Sequence, residues 1–178
     1  MKIIIRFLAL TICVLMLALN LGCALVFSTD ENKTAGRAIE LDLTSATVTL
    51  SSDSHGGFHG DGIWFLKLDC GGTHVREQIE NSAHWKSLPL STHVSTLLYG
   101  GEGWTPIVTN HDSDSDVYGQ PLFPTVQNGW YFFYDRYDNG VSFDRYDDSL
   151  VLGRSSFNFT VALYDAETDT LYFSEMDT

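Results

Sequence analysis

The feature that most constrains this chain is an alternating run near its end, residues 157–176, which is typical of a β-hairpin. Apolar and polar side chains alternate through two short runs separated by an acidic, polar turn. Pairing Tyr164 with Thr170 across a loop of five residues would set Leu163 beside Leu171, so that one face of the hairpin is continuously apolar. A hairpin alone is only marginally stable. The run therefore predicts a larger sheet that buries this face.

The remaining patterns supply the other elements of such a domain. Alternating apolar residues predict strands within 39–50 and at 62–69, which would pair as a hairpin. A shift of phase after Thr44-Ser45 indicates that the first is one bulged strand or two short ones. The apolar run 129–134 has bulk for both faces of a sheet. Apolar spacings of three and four predict helices capped by Thr73 and Thr92. We therefore expect a two-layer α+β fold, a mainly antiparallel sheet of about five strands with one or two helices packed on one face.

Residues 1–27 are typical of a targeting segment rather than of the fold. Lys2 and Arg6 precede a long apolar run, and no acidic residue occurs before Asp30. Such a charge distribution obeys the positive-inside rule. The sequence therefore predicts that the body of the chain lies on the extracytoplasmic side of the cell membrane.

The way in which this segment ends is open between three alternatives. Leu-Asn-Leu-Gly-Cys, ending at Cys23, resembles a bacterial lipoprotein cleavage site, which predicts lipidation of Cys23. Without cleavage, residues 7–27 are long enough to span the hydrocarbon core as a helical anchor. Cleavage and release would instead give a secreted protein. The first two alternatives make the membrane a partner through the N-terminal segment.

Composition limits the kinds of partner that the rest of the chain can bind. Residues 28–37 are polar and without an apolar period, which predicts a tether before a single domain at 38–178. Two of the ten basic residues lie in the targeting segment, which leaves eight against 23 acidic ones and a formal charge of −15. That charge argues against nucleic acid and anionic lipid. It serves solubility or attracts a cationic peptide or protein.

One short Gly-rich segment has the residue types of a transition-metal site. His55, His59 and Asp61 offer two imidazoles and a carboxylate, which are ligands that zinc accepts. Their spacing fits no established zinc motif, and a hairpin turn also favours Gly, Asp and His because these residues tolerate left-handed backbone. Turn chemistry is therefore the first interpretation, and a zinc site is the alternative.

An aperiodic stretch, residues 101–128, contains an acidic run that partly matches a calcium loop. Asp112, Asp114 and Asp116 alternate as the first ligands of such a loop do. The Gly expected at the sixth position and the Glu expected at the twelfth are absent. A solvated acidic loop is the first interpretation, and a weak calcium site is the alternative.

Aromatic residues near the predicted sheet edge and the long loop are the third group with binding chemistry, and core packing is the first interpretation for those in the run 130–134. Trp104, Tyr118 and Tyr137 lie in or beside predicted loops, where aromatic side chains bind sugars or peptides. Tyr137 belongs to the tetrapeptide Asp135-Arg136-Tyr137-Asp138, which recurs as Asp144-Arg145-Tyr146-Asp147. We interpret this repeat as a charged loop with internal Arg–Asp pairs, each of which stabilises little at a surface.

Four motifs carry a resemblance to other proteins: Gly60-Asp61-Gly62, His84-Trp85-Lys86, the run from Gly129 to Arg136 and the run from Ser156 to Thr160. Together they resemble a group of small, uncharacterised exported proteins of anaerobic Gram-positive bacteria, over residues 55–178. The resemblance implies a membrane-tethered, extracytoplasmic location. It supplies no activity, substrate or catalytic residue.

Cysteines and nucleophiles give no complete catalytic motif. Only Cys70 lies beyond the targeting segment, and its place after an apolar strand predicts a small buried residue. The leading hypothesis is therefore a membrane-tethered binding or interaction module without catalytic activity. The alternative is a metal-dependent hydrolase that uses His55, His59 and Asp61 to activate a water molecule.

Overall fold

The structure is a computed structural model that describes residues 31–56, 60–110, 116–138, 140 and 142–178. The targeting segment, with Cys23, lies outside the described residues. The described elements are helices α1 (31–39), α2 (Val75–Glu80) and α3 (Thr92–Tyr99), a 3-10 turn (Val151–Gly153), and strands β1 (Thr47–Asp53), β2 (Gly62–Asp69), β3 (Lys86–Ser87), β4 (Gly129–Asp135), β5 (Phe159–Asp165) and β6 (Thr170–Asp177). None of the helices in these ranges is long and apolar enough to cross a membrane.

All six strands form one antiparallel sheet in the order β1-β2-β6-β5-β4-β3. This confirms the α+β class and the antiparallel sheet. The strand beyond the expected five is β3, whose two residues pair with Trp130 and Tyr131 at the start of β4. Strands β1 and β2 pair as an antiparallel hairpin. Strand β1 begins only at Thr47, so the expected strand at 39–46 is absent, and its bulge lies between Val48 and Leu50 instead of at the phase shift after Thr44-Ser45.

The C-terminal hairpin forms with a register one residue away from the expected one. Asp165 pairs with Thr170 and Leu163 pairs with Tyr172, so Leu163 and Leu171 lie on opposite faces of the sheet. A shift of one residue reverses the faces of a strand. The sequence did not resolve the two registers because β5 is buried on both faces at every position but its last. An apolar side chain is therefore acceptable on either face.

The core is divided by the sheet into two clusters, one on each face. Leu66 and Phe132 belong to the first cluster, whereas their strand neighbours Phe65 and Phe133 belong to the second. Helices α1 and α2 cover the first face and α3 covers the second. The helices are thus shared between both faces instead of gathered on one, because β4 and β5 are too apolar to leave either face to solvent.

The structure differs from the predicted tether at residues 28–37, because residues 31–39 are helical and packed against the sheet. Ala35 and Ile39 are fully buried. The Asn32 amide, also buried, donates to the carbonyls of Leu43 and Ala46 at 3.0 and 2.8 Å. The domain therefore includes the chain from residue 31 onward. Spacings of three and four between Asn32, Ala35 and Ile39 are helical, although the surrounding residues are polar.

Two predicted helices are present with adjusted ends. The α3 N-cap is Ser91 instead of Thr92, since the Ser91 hydroxyl accepts from the Val94 amide at 3.1 Å, and Gly100 is the C-cap of α3. The N-cap position of the short helix α2 is His74 instead of Thr73, although the Thr73 hydroxyl accepts from the Val75 amide at 3.3 Å. These helices fix the loops that surround the candidate site.

Cys70 is buried, as predicted, at the end of β2. Burial, followed by the nearby Asp69 charge, raises the pKa of the Cys70 thiol to about 12. The thiolate is therefore scarce at neutral pH, which is unfavourable for a nucleophile.

Candidate functional site

His55 is held by two carboxylates where β1 leads into the Gly-rich turn. Its Nδ1 lies 2.6 Å from Asp53 Oδ1, and its Nε2 lies 3.3 Å from Asp177 Oδ2. A side chain at Gly62 would overlap the His55 backbone at 2.6 Å, so glycine is required for this turn to fold back on β2. With both ring nitrogens facing carboxylates, His55 could ligate a metal only by giving up one of these contacts.

The other members of the predicted zinc set add little to this arrangement. Asp61 is exposed, and His59 lies outside the described residues. Within the part of the chain that the structure describes, no three His, Cys, Asp or Glu side chains are grouped so that they could hold a metal ion. The zinc site at His55, His59 and Asp61 therefore stays a prediction.

The end of β1 and the long loop meet at one cleft of about 270 Å³, which we call the β1 cleft. Its lining residues are Ser52, Asp53, Ser54, Ile63, Phe65, Thr109, Asn110 and Leu122. Asp53 presents a side chain that is 58% exposed, whereas Ile63 and Phe65 are buried beneath. The cleft thus combines an apolar floor with a negatively charged rim.

The acidic loop begins at the rim of the β1 cleft. Asn110 and Gln120 close its base, because the Asn110 amide donates to the Gln120 carbonyl at 2.9 Å. Asp116 is exposed in the returning part of the loop, whereas Asp112 and Asp114 lie outside the described residues. The predicted calcium residues therefore belong to the segment that follows Asn110 of the cleft, and their mutual geometry is not described.

The three aromatic residues predicted to bind a ligand do not form a common platform. Trp104 is 38% exposed and packs edge-on against Phe157. Tyr118 is 59% exposed in the long loop. The Tyr137 ring lies 4.4 Å from the guanidinium carbon of Arg154. Each has a separate environment, and none lines the β1 cleft.

A second recess is built around Glu40, at the end of α1. The Leu41 amide donates to the Gly36 carbonyl at 2.9 Å, and Glu40 has a positive φ of 62°. This is a Schellman ending, in which the left-handed position usually takes glycine. A glutamate there stores backbone strain, on the order of 1–2 kcal/mol. Such strain persists where surrounding contacts hold the residue, and it is frequent at functional sites.

Two side chains hold the Glu40 carboxylate in this strained position. His84 Nδ1 lies 2.7 Å from Glu40 Oε2, and the Tyr146 hydroxyl donates to Glu40 Oε1. The His84 and Tyr146 rings are stacked, with centroids 3.6 Å apart. Partial burial acts to raise the pKa of Glu40, but the hydrogen bonds from Tyr146 and His84 outweigh it and lower this pKa. Burial, and next the bond to Glu40, raise the pKa of Tyr146.

The space beside this cluster measures about 290 Å³, and we call it the Glu40 recess. Its lining residues are Arg37, Ala38, Glu40, Tyr134, Arg136, Tyr146, Thr160 and Glu175. Tyr134, Thr160 and Glu175 are register neighbours on β4, β5 and β6, so they form its floor on the first face of the sheet. The last turn of α1 lies over them.

One chain of charged contacts connects the two cavities. His55 contacts Asp53 of the β1 cleft and Asp177, and the Asp177 carboxylate accepts from Arg136 at 3.1 Å. Arg136 is also a wall of the Glu40 recess. Both cavities therefore lie at the same end of the sheet, where β1 and β6 end and β2 begins.

Comparison with known proteins adds no relative to this picture. No protein-family model, no curated protein and no solved structure matches the chain. The function is therefore argued from the geometry alone.

The sequence did not indicate the Glu40 recess. Glu40 lies between Ile39 and Leu41, which were interpreted as alternating positions of a strand. The helical spacing of Asn32, Ala35 and Ile39 is the signal that could have revealed α1 and its end at Glu40.

Proposed function

We propose that this chain is a membrane-tethered, extracytoplasmic binding module that takes a cationic peptide or protein segment at the β1 cleft, without catalytic activity. The tether in this proposal is the segment 1–27, either lipidated at Cys23 or retained as a helical anchor. The binding part is the domain from residue 31 onward, with Asp53 as the charged contact at the rim of the cleft.

The observation that carries the proposal is how the basic side chains are used. Of the eight basic residues beyond the targeting segment, five are engaged by internal partners: Arg76, Lys86, Arg136, Arg145 and Arg154. Most acidic side chains of the described residues remain available to solvent, and Asp53 of the cleft is one of them. The solvent-exposed charge is therefore even more strongly negative than the composition alone indicates, which favours a basic partner.

The shape of the cleft supports a side chain with a long apolar stem and a charged end. Ile63, Phe65 and Leu122 form an apolar floor below the Asp53 carboxylate. Lysine and arginine combine an aliphatic stem with a cation, so they match both parts of this surface. A peptide with several such residues would also gain from the long-range attraction of the acidic body.

The proposal is tested by titrating the full chain in detergent with fluorescent octalysine and with octaglutamate. We expect octalysine to bind with an affinity that falls steeply with salt, and octaglutamate not to bind. Asp53→Asn should weaken octalysine binding several-fold. The matched control is Glu80→Gln, which removes an exposed carboxylate at the end of α2, away from the cleft.

Two results would contradict the proposal. Absence of octalysine binding at low salt would mean that the acidity serves solubility alone. Equal loss of binding in the Asp53 and Glu80 variants would mean that attraction is spread over the whole surface and that the cleft has no special role.

A further inference from the structure

The Glu40 recess contains two arginines on a strongly acidic protein, and their surroundings differ. Arg37 is exposed on α1 and makes no ion pair with another described residue. Arg136 is bound through one terminal nitrogen to Asp177 and to the carbonyl of Met176, at 3.1 and 3.2 Å. Its Nε is buried and has no hydrogen-bond partner among the described residues. The recess therefore holds one unpaired guanidinium and one buried donor without an acceptor.

The two carboxylates of the recess, Glu40 and Glu175, differ in how many of their oxygens already accept hydrogen bonds. Both carboxylate oxygens of Glu40 are occupied, one by Tyr146 and the other by His84. At Glu175, Oε1 accepts from the Thr160 hydroxyl at 3.1 Å and lies 3.9 Å from Arg136 Nε, beyond hydrogen-bond distance. Its Oε2 accepts no hydrogen bond from a described residue. Glu175 is therefore the carboxylate that retains capacity for a cationic donor.

We propose that the Glu40 recess is a binding site for a small zwitterion of the α-amino acid type. Its carboxylate is bound by Arg37, with the charge of Arg136 nearby, and its ammonium group is bound by Glu175. Arginine binds a planar carboxylate through paired donors. The opposite charges of the recess fit a ligand that carries one charge of each sign.

The size and walls of the recess agree with this class of ligand. A volume of about 290 Å³ lies at the lower end of ligand pockets, which suits a molecule of amino-acid size. Tyr134 and Tyr146 pack edge-to-face with centroids 5.2 Å apart, so the aromatic wall is fixed. The strained turn at Glu40 sets the end of α1 above the floor, because its carboxylate is held by His84 and Tyr146.

The probes are the twenty common L-amino acids, added singly to the full chain in detergent. The unfolding temperature, measured by circular dichroism, should rise for at least one of them, since a ligand that binds only the folded state stabilises it. For the amino acid with the largest effect, calorimetry then compares the matching deaminated acid and decarboxylated amine. We expect each of these to bind at least tenfold more weakly than the parent, because each lacks one of the two charges.

Variants identify the residues of the site. Arg37→Gln should weaken binding at least tenfold and leave the spectrum of the unliganded protein unchanged, because Arg37 is exposed. Glu175→Gln should weaken it as well, and should make the parent bind no better than its deaminated acid. Lys33→Gln is the matched control, since it removes an exposed cation from the same helix but lies outside the recess.

Three results would overturn the inference. The first is that no amino acid raises the unfolding temperature. The second is that the deaminated acid binds as tightly as the parent, which would make the recess a simple anion site. The third is that Arg37→Gln binds like the wild type. Octalysine binding at the β1 cleft is a separate measurement and should be unchanged in Arg37→Gln.

Discussion

The tetrapeptide Asp-Arg-Tyr-Asp occurs at 135–138 and again at 144–147, and the two copies share one short-range hydrogen bond. In each copy the aspartate side chain accepts from the backbone amide two residues on: Asp135 from Tyr137 and Asp144 from Tyr146, both at 3.0 Å. This is the turn that an aspartate makes with its own following backbone. Identical sequences therefore form the same aspartate contact, although only the second copy closes a backbone turn, in which the Asp147 amide donates to the Asp144 carbonyl at 3.1 Å.

Their tertiary environments are opposite. Asp135 ends β4, is fully buried, and binds both terminal nitrogens of Arg154 at 2.7 Å. Asp144 is exposed. Arg145 does not pair with a carboxylate of its own copy, since it donates to the carbonyls of Asp135 and Tyr137 at 3.0 and 3.2 Å. The second copy is thus docked on the backbone of the first.

The tyrosines diverge in the same way. Tyr137 presents its ring to the buried Asp135–Arg154 pair, whereas Tyr146 reaches the Glu40 recess through its hydroxyl and its stacking on His84. The expected surface Arg–Asp pairs within the repeat are therefore not its main contacts. A short repeat determines a local hydrogen bond of its aspartate. Whether that aspartate is buried or exposed depends on the element that precedes the repeat, which for Asp135 is strand β4.

The largest expected difference between the copies concerns their first aspartates. Asp135→Ala leaves Arg154 charged and largely buried without its partner, which should cost about 3–5 kcal/mol in the free energy of unfolding. Asp144→Ala removes only a turn contact at the surface and should cost about 0.5 kcal/mol. Urea unfolding of both variants measures the two values.

A double variant separates the ion pair from the packing around it. Asp135→Ala combined with Arg154→Met should lose less stability than the two single variants added together, because the pair is coupled. Equal losses in the Asp135 and Asp144 variants would contradict the distinction between the copies.

The same contrast explains how far the sequence could predict the fold. Two strands follow directly from the sequence: β2 from its alternating periodicity and β4 from its apolar bulk. Burial of one face leaves an alternating pattern, and burial of both faces leaves a continuous apolar run. The register of the β5–β6 hairpin did not follow, since both of its faces are apolar. Helix α1 was not predicted either, because its buried side chains are only Asn32, Ala35 and Ile39 and the residues between them are mostly polar.

The candidate site was predictable only where its parts are close in sequence. His55 and Asp53 are neighbours, so the charged turn at the end of β1 was visible. The Glu40 recess combines residues from α1, from three strands and from both tetrapeptides, which no spacing connects. Tertiary contacts of this kind leave no local signal in a single sequence.

The tyrosine hydroxyls provide the second prediction. Tyr146→Phe removes the donor to Glu40 Oε1 and should cost about 1 kcal/mol, as the loss of a hydrogen bond does. Tyr137→Phe should cost at most about 0.5 kcal/mol, because no hydrogen bond from its hydroxyl to a described residue is present and its ring still faces Arg154. Urea unfolding distinguishes them, and equal values would mean that the Tyr146 contact does not stabilise the end of α1.

The smallest effect is the dependence of the Glu40 contacts on pH. The groups that face its carboxylate are Tyr146 and His84, and their hydrogen bonds lower its pKa against the opposing effect of burial. A carboxyl group with a lowered folded pKa contributes stability that is fully present above its ordinary pKa, about 4.3, and is lost as pH falls through the folded value. Glu40→Gln cannot lose a charge in this range. The unfolding free energies of wild type and variant should therefore differ near neutral pH and converge in acid.

The expected size of that difference is below about 1 kcal/mol, because the Glu40 side chain is 44% exposed and solvent screens its interactions. Urea unfolding of both proteins, repeated at several pH values between about 3 and 7, measures the convergence. Glu80→Gln, at an exposed position on α2, is the control and should show no such trend. A difference between wild type and Glu40→Gln that grew in acid would mean that the folded protein prefers Glu40 protonated. In that case His84 and Tyr146 would not be holding a charged carboxylate at the end of α1. The bond from Tyr146 to Glu40, which distinguishes the second tetrapeptide from the first, would then not stabilise the folded protein.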